Sequence, residues 1–183
     1  IVVSFNSLSV THQCITSLLR ILGPSRELIV IDNDSKDGSR EYVQKLNEIA
    51  PNIKGILLDK NVGPGAARNV GFSHATGRNV LFLDNDTYAL EGSDFIRMLE
   101  DKLDALNADI VGMCGIFTFD CKTYIHVHQR DVKKPLQVMA VTGYCMMIKK
   151  ASFSALVGFD PVYGIFADED LDLCFRALQK EMK

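Results

Sequence analysis

Three groups of acidic residues have the types and spacing for chemistry: Asp32-Asn33-Asp34-Ser35, Asp84-Asn85-Asp86 and Asp168-Glu169-Asp170-Leu171-Asp172. In the middle group two carboxylates one residue apart repel each other, and the cap that the next helix needs lies further on, at Ser93 or Asp94. Such a pair suits a hard divalent cation. Magnesium or manganese takes one or two carboxylates from a protein and completes its shell with phosphate oxygens and water. Asp34, Ser35 and Asp37 fit Asx turns and helix caps as well as they fit ligand contacts. The third group opens the last helical segment. Acids at a helix N-terminus gain about 0.3–1 kcal/mol each from the dipole, which accounts for one or two of them but not for four within five positions.

The segment Asn61-Val62-Gly63-Pro64-Gly65-Ala66-Ala67-Arg68-Asn69 adds glycines that let backbone approach a ligand, then a helix start, then a cation. That order suits a diphosphate or sugar hydroxyls, and Arg68 and Asn69 can equally brace the acidic loops from behind. His126 and His128 alternate on one face of a strand-like run. With no third ligand in view they read as surface or acceptor-side histidines. Tyr88, Tyr144 and Tyr163 fit sugar platforms and core packing alike. Five cysteines, Cys14, Cys114, Cys121, Cys145 and Cys174, form no CxxC pair and no zinc spacing, so they read as reduced, buried thiols in a reducing compartment.

Four apolar runs must position these groups. Ile1 to Phe5, Leu28 to Ile31, Ile53 to Leu58 and Val80 to Leu83 read as strands. Between them lie helical patterns: Ile15, Leu18, Leu19 and Leu22 up to Gly23-Pro24; Val43, Leu46 and Ile49 on one face; and Ala66 to Ala75. Alternation of this kind predicts a mostly parallel sheet covered on both faces, whose ligands bind outside the carboxyl ends of the strands, where two of the acidic groups fall. After Asp86 the pattern changes. A helix carrying Phe95, Leu99, Leu103 and Leu106 is followed by strand-like runs at Ile110 to Phe119, Thr123 to His128 and Val138 to Ile148, then a helix from Asp170 to Lys183. The second half is therefore α+β in character, with Lys133-Lys134-Pro135 as a loop.

The 183 residues, 47% of them hydrophobic, suffice for one sizeable core. A net charge of -3, with no run of Lys or Arg longer than a pair, excludes a nucleic-acid binder that relies on a basic surface. No stretch approaches the ~18 apolar residues of a membrane span. The chain opens inside a strand without Met and stops inside a helix, so it reads as trimmed at both ends, and any membrane association falls to segments outside it. The expected organisation is one domain over 1–183, with a nucleotide-binding half at about 1–90 and an acceptor and catalytic half at about 91–183.

With these residues in view, the chain resembles the family-2 glycosyltransferases, inverting enzymes with the GT-A fold, a Rossmann-like α/β architecture for nucleotide-diphospho-sugars. The blocks are Val3 to Asn6, Val30 to Ser39, Asn61 to Gly71, Phe82 to Asp86 with its DxD motif, Thr142-Gly143, Gly158 to Asp160 and Glu169 to Arg176, and their order and spacing carry the likeness along the chain. The resemblance implies that Ser4 and Asn6 line the nucleotide pocket and that Asp32 and Asn33 hold the base. It places Asp84 at the ribose and sugar, Asn85 and Arg68 in the donor site, and Asp86, with Asp84, on a manganese or magnesium ion. Thr142 and Gly143 border donor sugar and acceptor. Asp170 is the implied catalytic base, while spacing alone leaves Asp168 and Glu169 open. Also implied are a UDP-sugar donor, with dTDP- or GDP-sugar as alternatives, a glycan or lipid-linked acceptor, a role in polysaccharide biosynthesis, and a cytoplasmic location at the inner face of a membrane.

Two rivals share parts of this pattern. A sugar-phosphate nucleotidyltransferase calls for a Gly-rich, Arg-bearing loop directly after the first strand, and Ser4-Phe5-Asn6-Ser7-Leu8 is not one. A phosphate-accepting signalling domain accounts for Asp32-Asn33-Asp34 but not for the other two acidic groups.

Overall fold

The computed structural model describes residues 1–118, 124–128, 132–165 and 168–183. Its main sheet has six strands in the order β3 (Ile53–Leu57), β2 (Leu28–Asp32), β1 (Val2–Ser4), β4 (Asn79–Asp84), β9 (Cys145–Lys149) and β5 (Ile110–Gly112). The first four are parallel, and β9 runs antiparallel to both β4 and β5. The helices α1 (Leu8–Leu19), α2 (Ser39–Leu46) and α3 (Pro64–His74) connect the parallel strands. The first two crossovers carry the chain outward from β1, and α3 returns it to the other side of β1. The strand order therefore reverses between β1 and β4, and a crevice opens at their carboxyl ends.

Residues of period two divide between two cores, as expected for a sheet buried on both faces. Ile29 and Ile31, Val80 and Phe82, and Met146 and Ile148 pack on one side with Ala67 of α3, Phe153 of α5 (Lys150–Ala155) and Leu173 of α6 (Glu169–Gln179). Leu28 and Val30, Leu83, and Cys145 and Met147 pack on the other with Ile15 of α1, Val43 of α2, and Leu99 and Leu103 of α4 (Phe95–Ala105). Asp94 caps α4 by accepting a hydrogen bond from the Arg97 N–H, as its position before the apolar periodicity predicts.

A second, antiparallel sheet holds β7 (Tyr124–His128), β6 (Cys114–Thr118) and β8 (Ala140–Val141) in that order. Here the structure corrects three expectations. The run from Ile110 is two strands, split at Met113, and the run from Val138 to Ile148 is also two, split at Thr142-Gly143-Tyr144. In each case the two pieces pair in different sheets, so an unbroken apolar run hides a change of partner; Phe119 and Thr123 lie outside the described residues. Ile49 is 54% exposed because α2 has already ended: the Asn47 side chain exchanges two hydrogen bonds with the Gly55 backbone of β3. The last helix runs from Glu169 to Gln179, slightly offset from the expected span. Helix α5, six residues long, is too short to show a period. Lys133-Lys134-Pro135 lies in the irregular connection between β7 and β8.

Candidate active site

The carboxyl ends of β1, β2 and β4 bring Ser4, Asp32 and Asp84 into one row: Ser4 pairs with Asp32, and Val3 with Asp84. Asp32 is fully buried. One of its oxygens accepts the Ser35 N–H at 3.1 Å and lies 3.6 Å from Arg40 Nη1. The other, Oδ1, is buried without a hydrogen-bond partner among the described residues. A half-satisfied buried carboxylate is costly, and a ligand N–H donor would relieve it. The neighbouring Asn33 side chain is committed to the glycine-rich turn, donating to Asn61 Oδ1 at 2.9 Å and accepting the Val62 N–H at 3.0 Å.

Around Asp84 the polar groups are layered. Buried Ser4 Oγ shares a hydrogen bond with Thr11 Oγ1 at 2.9 Å, and the Asn85 amide donates to Thr11 and Ser7 hydroxyls on the first turn of α1. This hydroxyl platform fixes the turn that follows β4. Sequence reasoning missed it, although Ser7 and Thr11 stand four residues apart, the spacing that puts two side chains on one helix face. Asn6 has φ 47 and ties the β1 end to the loop after β2, with its N–H donating to Ser35 Oγ and its Oδ1 accepting the Lys36 N–H. Asp37 binds the Leu8 N–H at the start of α1 and the Ser39 N–H, and the hydrogen bonding at Ser39 holds its carboxyl below the usual range.

Asp86 is exposed and has no hydrogen-bond or ion-pair partner among the described residues. Asp84 is 42% exposed at its side chain and spends only Oδ1, on Arg68 at 2.6 Å. Two carboxylates with free oxygens at one turn fit a hard cation that draws the rest of its shell from phosphate and water. Among the described residues no set of three His, Cys, Asp or Glu side chains could by itself hold a metal ion. That includes His126 and His128, which are exposed on β7.

Arg68 is 5% exposed and sits where β4, the β8–β9 turn and α6 meet. Its Nη2 bonds Asp84 and lies 3.5 Å from the Gly143 carbonyl, its Nη1 bonds Glu169 Oε1 at 2.8 Å, and its plane lies 5.6 Å from the Phe159 ring centre. The Gly143 N–H donates to Asp170 Oδ2 at 2.6 Å, and Asp170 Oδ1 accepts the Leu171 N–H. A Cβ at Gly143 would lie 3.1 Å from Arg68 Nη1 and 3.4 Å from Asp170 Oδ2, so only glycine fits there without a shift. Asn69 staples the neighbouring loop by exchanging two hydrogen bonds with the Phe159 backbone. Thr142 donates to the Cys114 carbonyl.

The acids of the third group therefore differ in place. Glu169 is buried against Arg68, Asp170 is held at Gly143, Asp172 pairs with Arg176 at 2.6 Å, and Asp168 is exposed with φ 80 at the helix cap. Tyr163 hydrogen-bonds Asp172 and burial pushes its hydroxyl pKa up. Tyr144 is half-buried, whereas Tyr88 is 60% exposed. Burial pushes the thiols of Cys14, Cys145 and Cys174 up to about 12, so they stay protonated. Cys114 is also buried and free, and Cys121 lies outside the described residues. Two cavities, of about 500 and 620 Å³, lie elsewhere: neither is lined by Asp32, Asp84, Asp86 or Asp170. Of these acids Asp32 is buried, Asp84 and Asp170 are partly exposed, and Asp86 is exposed.

Residues 1–157 match the description "Glycosyl transferase family 2". The chain belongs to that family. The succinoglycan biosynthesis protein ExoO of Rhizobium meliloti is 34% identical over 110 residues, 60% of this chain and 30% of that protein. GalNAc-T7, solved with UDP, GalNAc and Mn2+, superposes with a TM-score of 0.81 over 100% of this chain and 40% of its own, at 16% identity. The mannosyltransferase PcManGT of Pyrobaculum calidifontis, in complex with GDP-Man and Mn2+, gives 0.72 over 94% and 49%, at 18% identity. Both share the fold, the mixed α/β GT-A architecture. The chain spans about a third of the length of the curated relatives it matches. The family match ends before α6, so Asp168, Glu169 and Asp170 stand outside it.

Proposed function

We propose that this family-2 domain transfers a sugar from a nucleoside-diphosphate donor to an acceptor hydroxyl, with inversion and with a divalent metal. The observation that carries this is the meeting of two separate acid sets across one crevice, Asp84 with Asp86 on one side and Asp170 on the other, linked through Arg68 and Gly143. Asp170, its carboxylate held by two backbone N–H groups, takes the acceptor proton. The acceptor oxygen then bonds to the anomeric carbon while the bond from that carbon to the β-phosphate oxygen breaks, and the nucleoside diphosphate leaves. Asp86 and Asp84 would hold the metal, whose charge would offset that of the leaving diphosphate. The partnerless Asp32 Oδ1 supports a role in accepting a nucleobase N–H. UDP or GDP-Man with Mn2+ in the two structural neighbours supports the donor class and the metal, and the succinoglycan relative supports a synthetic role in polysaccharide assembly. Location at the inner face of a membrane belongs to the same proposal. No helix among the described residues is long and apolar enough to cross a membrane.

Calorimetry with UDP-, GDP- and dTDP-sugars, with and without Mn2+, tests it. Wild type is expected to bind one nucleotide class and to need Mn2+ for full affinity. Asp86→Ala is expected to lose only the Mn2+-dependent part, by about tenfold or more (~1.4 kcal/mol). Asp32→Ala is expected to weaken binding whether or not metal is supplied. No binding by wild type under any of these conditions would sink the proposal.

A further inference from the structure

The geometry points to Arg68 as a positioning residue that couples the donor end of the crevice to the acceptor end. This inference rests on the function proposed above and adds how its two acid sets are linked. Asp84 and Glu169 share no hydrogen bond or ion pair with each other, yet each holds one side of the same buried guanidinium, Asp84 at 2.6 Å and Glu169 at 2.8 Å. The planar fork of arginine can span two carboxylates at once; the compact ammonium of lysine cannot hold both in that geometry. The Gly143 carbonyl lies 3.5 Å from the same group, while its N–H binds Asp170.

Two consequences follow from this arrangement. Arg68 neutralises Glu169, a buried carboxylate beside the proposed base, and ties it away from the acceptor. It also divides its attraction between Glu169 and Asp84, so the strength with which it grips Asp84 depends on the charge of a residue on α6. Glu169 is thus a ballast for Arg68 and Asp170 is the proton acceptor. When the charge on Glu169 is removed, Arg68 shifts its pairing onto Asp84, and Asp84 becomes a poorer partner for a metal-bound diphosphate.

The test is a double-mutant cycle read by calorimetry with UDP and Mn2+, with thermal melts alongside. Glu169→Gln is expected to weaken UDP affinity about three- to tenfold when Mn2+ is present and to leave metal-free affinity unchanged. In an Arg68→Lys background the same Glu169→Gln change is expected to have less than a twofold effect. An arginine that only supported the fold would lower the melting temperature in every variant without making the Glu169 effect depend on metal. The coupling is overturned if Glu169→Gln leaves UDP–Mn2+ affinity within twofold of wild type, or if its effect persists in Arg68→Lys. Should Arg68→Lys fail to fold, the metal dependence of Glu169→Gln alone decides. Failure of wild type to bind nucleotide would instead overturn the functional proposal.

Discussion

Asp170 and Glu169 are adjacent, carry the same functional group and sit in the same helical turn, yet their surroundings differ. Asp170 is half-buried, with each carboxylate oxygen taking one backbone N–H. Glu169 is enclosed and bound to a cation. Replacing Asp170 with Asn keeps the side-chain volume and removes the proton acceptor. Turnover with the true acceptor is expected to fall by about 10²-fold or more while donor affinity stays within a few fold, as steady-state kinetics alongside calorimetry would reveal. Near-normal turnover would move the base to Asp168, the remaining acid of the group that is exposed and whose side chain has no hydrogen-bond or ion-pair partner among the described residues. The acidic character of these sites was legible in the sequence because clustered carboxylates at strand ends and beyond helix caps need a reason. Which of them a cation holds was not. The partner that separates Glu169 from Asp170 lies 101 residues away, and nothing local in either segment encodes that contact.

The elements were legible where one apolar period persists and illegible where the chain changes partner. Strands β1 to β4 and helices α1 to α4 follow from uninterrupted runs and their caps, whereas the Thr142-Gly143-Tyr144 break between β8 and β9 passes through apolar neighbours on both sides. The glycine-rich turn before α3 was visible as turn chemistry, but its use is steric. Gly63 has φ 84, and a Cβ there would meet the Gly164 carbonyl oxygen at 1.8 Å. The start of α3 therefore sits directly under the segment that leads into α6. Gly63→Ala is expected to destabilise the protein by about 1–2 kcal/mol from the left-handed backbone alone. At about 2–4 °C per kcal/mol, a melt should show a fall of several degrees. The displaced backbone lies near Asn33, which reaches the Gly63 carbonyl, so UDP affinity should fall as well. An unchanged melt would mean that the two segments part at no cost.

Across the whole molecule, carboxylates held by hydrogen bonds stand at both ends of the main sheet. The carboxylates of the crevice stand at the carboxyl ends of the parallel strands. At the opposite ends, Glu27 binds the Thr76 and Gly77 N–H groups and Asp109 holds Ser152 and the Lys183 N–H, while Asp94 caps α4 beside Arg26. Burial raises the pKa of each of these three, but the hydrogen bonds and the nearby cations outweigh it and hold the carboxyls below the usual range. A carboxyl whose pKa is lower folded than unfolded contributes stability above its unfolded pKa and loses it as pH falls through the folded one. The melting temperature should therefore hold steady down to about pH 5 and decline below about pH 4. Asp109→Asn should flatten part of that decline, and a melting temperature independent of pH between 3 and 5 on the order of one degree would contradict the assignment.

Strand β4 has β1 on one flank and β9 on the other, which sets an order in time as well as in space. Its first neighbour leaves the ribosome before it; its second does so only after α4, β5 and all three strands of the small sheet have been made. At about 5–20 residues per second, that leaves one side of β4 open for several seconds, with Phe82 lacking Met146, Ile148, Phe153 and Phe159. The strand that carries Asp84 thus gains its second neighbour later than β1 and β2 do, while β3 stays at the sheet edge. Arg68, already in place on α3, waits still longer for Glu169. Were the crevice to form during synthesis, its central cation would be paired on one side only, with Asp84, until Glu169 of α6 had been made.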